Sequence, residues 1–90
     1  MKRYREPVEV TAADVGGRVA PAAFRWRGGT YRVVALLGHW REDGGYWSGG
    51  GVEIPQRDLW RVEARNGTPA SGVYELVCEG GVWRLDRVWD

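Results

Sequence analysis

Ninety residues with a net charge of +1 and eleven aromatic side chains make one small domain. A chain of that size buries only about 60–65% of its unfolded surface, so its large side chains carry the core. Cys78 is the only cysteine, which excludes an intrachain disulfide, and with the single histidine, His39, it falls short of the four ligands of structural zinc.

Charge is unevenly spread. Residues 1–41 hold eight basic side chains against three acids, a net +5, and residues 42–90 hold five against nine, a net −4. Such asymmetry points toward a polyanionic partner, or toward two halves that fold together and cancel. The longest apolar run, residues 33–37, is far short of a membrane span. The basic start, Met1-Lys2-Arg3-Tyr4-Arg5-Glu6-Pro7, has no apolar stretch behind it and is not a signal peptide. A cytoplasmic protein without a membrane partner is expected.

In chain order, residues 1–5 read as a flexible basic end. Residues 7–11 alternate as a first strand, with Pro7 at its start, where a missing N–H is tolerated. Residues 11–14 could form one helical turn capped by Thr11, and residues 15–18 a tight turn. Residues 22–27 and 30–39 then form a hairpin around Gly28-Gly29, a dipeptide suited to a primed turn. That register sets Trp26 opposite Tyr31, Arg25 opposite Arg32 and Phe24 opposite Val33. Phe24, Trp26, Tyr31, Val33, Ala35 and Leu37 share the core face. Arg25, Arg27, Thr30, Arg32, Val34 and Leu36 share the other.

Residues 44–51 are a glycine-rich loop carrying Tyr46 and Trp47, which either fold back over the core or join a contact surface. Residues 58–64 alternate as a strand, with Trp60 and Val62 inward and Arg61 and Glu63 outward. The final hairpin pairs residues 73–79 with 82–88 around Gly80-Gly81. It sets Cys78 opposite Trp83, Leu76 opposite Leu85, Tyr74 opposite Arg87 and Glu75 opposite Asp86. Two opposed carboxylates repel, so a neighbour such as Arg61 or Arg84 should sit between them. The whole is an all-β fold: a small antiparallel barrel or strongly curved sheet of six to seven short strands, with at most one short helical turn.

No arrangement names a reaction. Cys78 faces inward opposite Trp83, and a buried apolar thiol is a poor partner for His39 in nucleophilic catalysis. Glu42, Asp43, Glu53 and Asp58 read as a solvated acidic region rather than an oxygen-ligand metal site. The glycine clusters lack the Lys and Ser/Thr of a phosphate-gripping loop. No catalytic residue, metal or cofactor is therefore expected. What remains is a binding surface of Arg18, Arg25, Arg27, Arg32 and Arg41 with Trp40 and Trp47, where guanidinium groups meet phosphates and rings stack on bases.

The strings Pro21-Ala22-Ala23-Phe24-Arg25-Trp26-Arg27-Gly28, Tyr31-Arg32-Val33, His39-Trp40-Arg41-Glu42, Arg57-Asp58-Leu59-Trp60-Arg61-Val62 and Trp83-Arg84-Leu85-Asp86-Arg87-Val88-Trp89-Asp90 carry a resemblance. Over roughly residues 6–90 the chain resembles a family of short bacterial proteins of unknown function from high-GC organisms. It is also similar to the C-terminal segment of catalytically inactive Y-family polymerase relatives that serve as accessory factors in damage-induced mutagenesis. The resemblance implies a DNA-repair or translesion setting and brings no catalytic residues. The expected function is a non-catalytic β module that binds nucleic acid weakly, with single-stranded DNA or a polymerase-associated protein as partner. The alternative is a protein-interaction module, self-associating or not, that uses exposed aromatics and a sheet edge.

Overall fold

The computed structural model describes residues 2–43 and 56–89, which form strands joined by short turns, with no helix among them. The strands are β1 (Lys2–Pro7), β2 (Glu9–Val15), β3 (Arg18–Trp26), β4 (Gly29–Asp43), β5 (Gln56–Arg65), β6 (Ser71–Glu79) and β7 (Val82–Trp89). All pairs are antiparallel, in one sheet of order β1-β7-β6-β5-β4-β3-β2.

That order dictates the curvature. β1 and β2 follow each other in the chain with only Val8 between them, yet they flank opposite edges of the sheet. The sheet must curl until its two edges approach at Val8, whose N–H donates to the Trp83 carbonyl at 3.2 Å. From that corner the edges diverge, β1 running along β7 and β2 along β3. The edges meet at a point rather than along a ladder, so the fold is a curved open sheet and not the barrel considered above. Nor are the strands uniformly short, since β4 spans 15 residues.

Two local expectations fail because a partner strand is available. Lys2–Pro7 is not a loose end; it is β1, taken up by the edge of β7. Residues 11–14 form no helical turn and lie in β2, paired with Ala23, Pro21, Ala20 and Val19. Alanine favours helix, but a ladder of cross-strand partners overrides so weak a preference.

Three hairpins close on two-residue turns with positive φ at both positions: Gly16-Gly17 (61° and 84°), Arg27-Gly28 (51° and 78°) and Gly80-Gly81 (61° and 82°). The second lies one residue earlier than expected, so Trp26 pairs with Gly29, Arg25 with Thr30 and Phe24 with Tyr31. Moving a turn by one residue moves each cross-strand partner by two, which preserves the faces. Phe24, Trp26, Tyr31 and Val33 therefore still point into the core.

The concave face buries Phe24, Trp60, Val62, Ala64, Leu76 and Leu85, with Ala20 beside them. Tyr31 stacks on Phe24 at 4.9 Å, and Tyr74 meets both rings edge-on. Full burial of such side chains contributes about 1.5–3 kcal/mol each. Two bulges in β4, at Val34 and Leu37, break the alternation expected for residues 35–37, and Leu37 is 50% exposed instead of buried. A bulge adds a residue and turns the following side chains to the other face.

The convex face carries its own polar packing. A bulge at Asp86 sets Glu75 opposite Arg87, and Tyr74 opposite Val88, so the opposed carboxylates expected from simple alternation never meet. Glu75 is 4% exposed. Arg61 donates to it at 2.7 and 3.1 Å, and the Arg87 Nε lies 3.7 Å away. Arg84 turns instead to Glu79 at 3.5 Å. Trp40 and Trp89 lie against the Arg61 guanidinium at 5.3 and 5.1 Å, with the Arg61 side chain still 38% exposed.

Candidate functional site

The seven residues expected to form one cationic and aromatic stripe are dispersed. Arg25 and Arg32 are exposed on the convex face of β3 and β4, one row apart, because Ala23 rather than Arg25 pairs with Arg32. Arg32 stands directly opposite Arg65 of β5, which is also exposed. Arg65 was not anticipated. The cue was available, since Arg65 lies two residues beyond outward-facing Glu63, but its apposition to Arg32 depends on the β4 register.

Arg25, Arg32 and Arg65 thus occupy three successive strands at one end of the convex face. Among the described residues none of them lies within ion-pair distance of a carboxylate; Glu9 faces Arg25 across the β2–β3 ladder without closing a pair. Directly opposed like charges oppose folding. The Arg32–Arg65 pair is therefore a local conflict of the kind that marks functional surface.

Arg27 has a different role. Its guanidinium donates to both carboxylate oxygens of Glu6, at 2.9 and 2.6 Å, and lies 5.0 Å from the rings of Tyr4 and Trp26. The Trp26 indole N–H donates to the same Glu6 carboxylate at 2.8 Å. The Arg27 bonds, and then the Trp26 bond, hold the Glu6 carboxyl below the usual carboxylate range, and Glu6 in turn raises Arg27. Arg27 also adopts a left-handed φ of 51°, which is uncommon for a residue with a Cβ. Its side-chain contacts explain why the turn forms on Arg27-Gly28 instead of Gly28-Gly29. Arg27 is a clamp between β1 and the β3–β4 turn, and its charge is spent within the fold.

Trp40 is 47% exposed on the convex face, stacked against Arg61 and folded over Gly38, where a Cβ would meet its ring at 2.6 Å. Eight residues of β4 separate it from Arg32, roughly 25 Å at strand rise, so it does not share a site with the arginine triplet. Trp47 lies outside the described residues, as do Tyr46 and Glu53.

Arg18 and Arg41 meet elsewhere. β3 and β4 pair only over Ala23–Trp26 and Gly29–Arg32. Beyond Ala23 a bulge at Ala22 turns β3, and Pro21, which pairs with Ala12 of β2, has no N–H to offer β4. The strands splay and leave a cleft walled by Arg18 and Ala20 of β3 and by Leu36, Leu37 and His39 of β4, with Trp60 as its floor. His39 stacks on Trp60 at 3.7 Å and 7° and shares Asp58 with Arg41, at 3.0 and 3.3 Å.

The remaining chemistry is engaged in structure. Glu42 accepts from Arg57 at 2.8 Å, and Asp58 from His39 and Arg41. Among the described residues no three His, Cys, Asp or Glu side chains come together as a metal site. Burial pushes the Cys78 thiol above its ordinary value, away from the nucleophilic thiolate. No helix among the described residues is long and apolar enough to cross a membrane.

A family model described as a domain of unknown function (DUF6504) matches residues 1–90. Neither the curated proteins nor the solved structures hold a match to the chain.

Proposed function

The chain belongs to the DUF6504 family, and we propose that it is a non-catalytic β module that binds single-stranded nucleic acid weakly through the arginine end of its convex face. The observation that carries this reading is the unpaired triplet Arg25, Arg32 and Arg65 on three adjacent strands. A fold that leaves opposed guanidinium groups without carboxylates holds positive potential ready for an anion. Planar, permanently charged guanidinium suits phosphate better than an ammonium does. Binding by so few contacts is weak and salt-sensitive. The sequence resemblance to the C-terminal segment of inactive Y-family polymerase relatives would make the module an accessory element of DNA repair or translesion synthesis.

Fluorescence anisotropy with a labelled oligothymidylate tests the reading. The logarithm of the binding constant should fall linearly with that of salt concentration, at a slope of about −0.7 per phosphate neutralised. The variant Arg25→Ala/Arg32→Ala/Arg65→Ala should flatten that slope by about 2 while remaining folded. Absence of binding at low salt, or an unchanged slope in the triple variant, removes the proposal.

A further inference from the structure

The splayed half of the β3–β4 pair carries an inference independent of the arginine triplet. β4 is laddered to β5 from Arg32 to Asp43, but on its other side it meets β3 only as far as Arg32. The backbone N–H and C=O groups of residues 33–43 that point away from β5 therefore have no described ladder partner. Such an edge is a template for another strand, and native folds ordinarily cover it. Here the adjoining walls are apolar. Leu36 and Leu37 are 43% and 50% exposed beside the edge, Val19 is 68% exposed across from it, and Trp60 lies at the base. The hollow measures about 190 Å³ at its apolar end and continues into a wider one of about 630 Å³ that shares Arg18, His39 and Trp60.

The charge at the mouth selects the occupant. Arg18 has no carboxylate partner among the described residues, while Arg41 and His39 share the single carboxylate of Asp58. The rim is cationic, the walls are aliphatic, and a strand edge runs between them.

We propose that this cleft takes up an extended peptide, added as a strand against β4, whose cleft-facing side chains are aliphatic at one end and acidic at the other. Backbone hydrogen bonds to residues 33–41 supply affinity. Every second side chain faces the cleft, where aliphatic groups meet Leu36 and Trp60 and carboxylates further along meet Arg18 and Arg41. A nucleic acid fits the site less well, because it has no backbone amides and carbonyls to pair with the β4 edge.

The probe is a fluorescein-labelled octapeptide in which serine alternates with two valines at one end and two aspartates at the other, followed by anisotropy, with ¹⁵N-resolved amide shifts locating its contacts. The expected result is saturable binding with shifts concentrated at residues 33–41. N-methylation of one alternate set of peptide amides should weaken binding at least tenfold, and methylation of the other set should leave it nearly unchanged. Arg18→Glu should weaken binding about tenfold, whereas the Arg25→Ala/Arg32→Ala/Arg65→Ala variant should bind the peptide normally. Because peptide methylation leaves the protein untouched, that arm stands even where a protein variant unfolds. Equal binding of both methylated peptides, or of a lysine–valine peptide, overturns the proposal. So do amide shifts elsewhere on the sheet, and so does sedimentation showing that a second copy of the chain fills the cleft.

Discussion

At the β6–β7 end of the convex face, arginines and carboxylates are matched. Arg61 and Arg87 converge on Glu75, Arg84 reaches Glu79, and tryptophan rings cover the Arg61 guanidinium. At the β3–β5 end of the same face, Arg25, Arg32 and Arg65 have exposure but no carboxylate. The two regions share residue type, strand geometry and orientation. They differ in whether a carboxylate closes an ion pair, since Glu9 stands opposite Arg25 without closing one. An arginine's presence on a sheet surface says little about ligand binding until its cross-strand neighbours are known.

The largest effect separating the regions belongs to Glu75. Glu75→Gln keeps an acceptor oxygen but removes the negative charge that Arg61 and Arg87 face, and weakening this charge-assisted contact costs about 2 kcal/mol. Urea unfolding should show that loss, with the nucleic-acid salt slope of the folded fraction unchanged. If Glu75→Gln is neutral in stability, the matched region is no more structural than the open one.

The reciprocal experiment alters the open region. Single replacement of Arg25, Arg32 or Arg65 by alanine should shift stability by no more than about 0.5 kcal/mol. Loss of Arg32 or Arg65 should be neutral to stabilising, because it relieves an opposed like pair. Each replacement should still flatten the salt slope by about 0.7. A marked stability loss at any of the three would move it into the matched class.

Arg27 sharpens the contrast, since it is an exposed arginine that behaves like the matched ones. Arg27→Ala should lower Tm while leaving the oligothymidylate salt slope intact. A flattened slope with unchanged Tm would place Arg27 in the binding surface instead.

The smallest expected effect is a pH dependence at the same clamp. The Glu6 carboxyl is held below its ordinary range, first by Arg27 and then by Trp26, so it binds protons more readily in the unfolded chain than in the folded one. The advantage of the native protein over Glu6→Gln is therefore complete above the ordinary glutamate range, including neutral pH. It disappears as pH falls through the lowered folded value. Thermal melts of both proteins across acidic pH measure this convergence. A difference that stays constant with pH would mean that Glu6 acts through packing and not through its charge.

Much of the fold was legible in the chain because strand side chains alternate with a period of two. Phe24, Trp26, Tyr31, Trp60, Val62, Leu76 and Leu85 were all assigned inward and all pack in or against the core. Even the misplaced Gly28-Gly29 turn left these faces intact. The bulges were not legible. Those at Val34, Leu37 and Asp86 answer to neighbouring strands, and they decide that Leu37 is exposed and that Glu75 meets Arg87. Of the candidate surface, the outward exposure of Arg25 and Arg32 was legible in the sequence, while the apposition of Arg65 to Arg32 and the pairing of Arg27 with Glu6 were not.

Local pattern by itself determined most of the strands, two of the three hairpin turns and the inward side of Phe24, Trp26, Tyr31 and Trp60, because alternation and glycine turns act over a few residues. Tertiary structure alone decided which arginines are neutralised and where a strand edge stays open. Glu6 lies 21 residues from Arg27, and Glu75 lies 14 from Arg61, so only strand order brings those charges together. The splay between β3 and β4 likewise arises where Pro21 and a bulge meet the path of another strand.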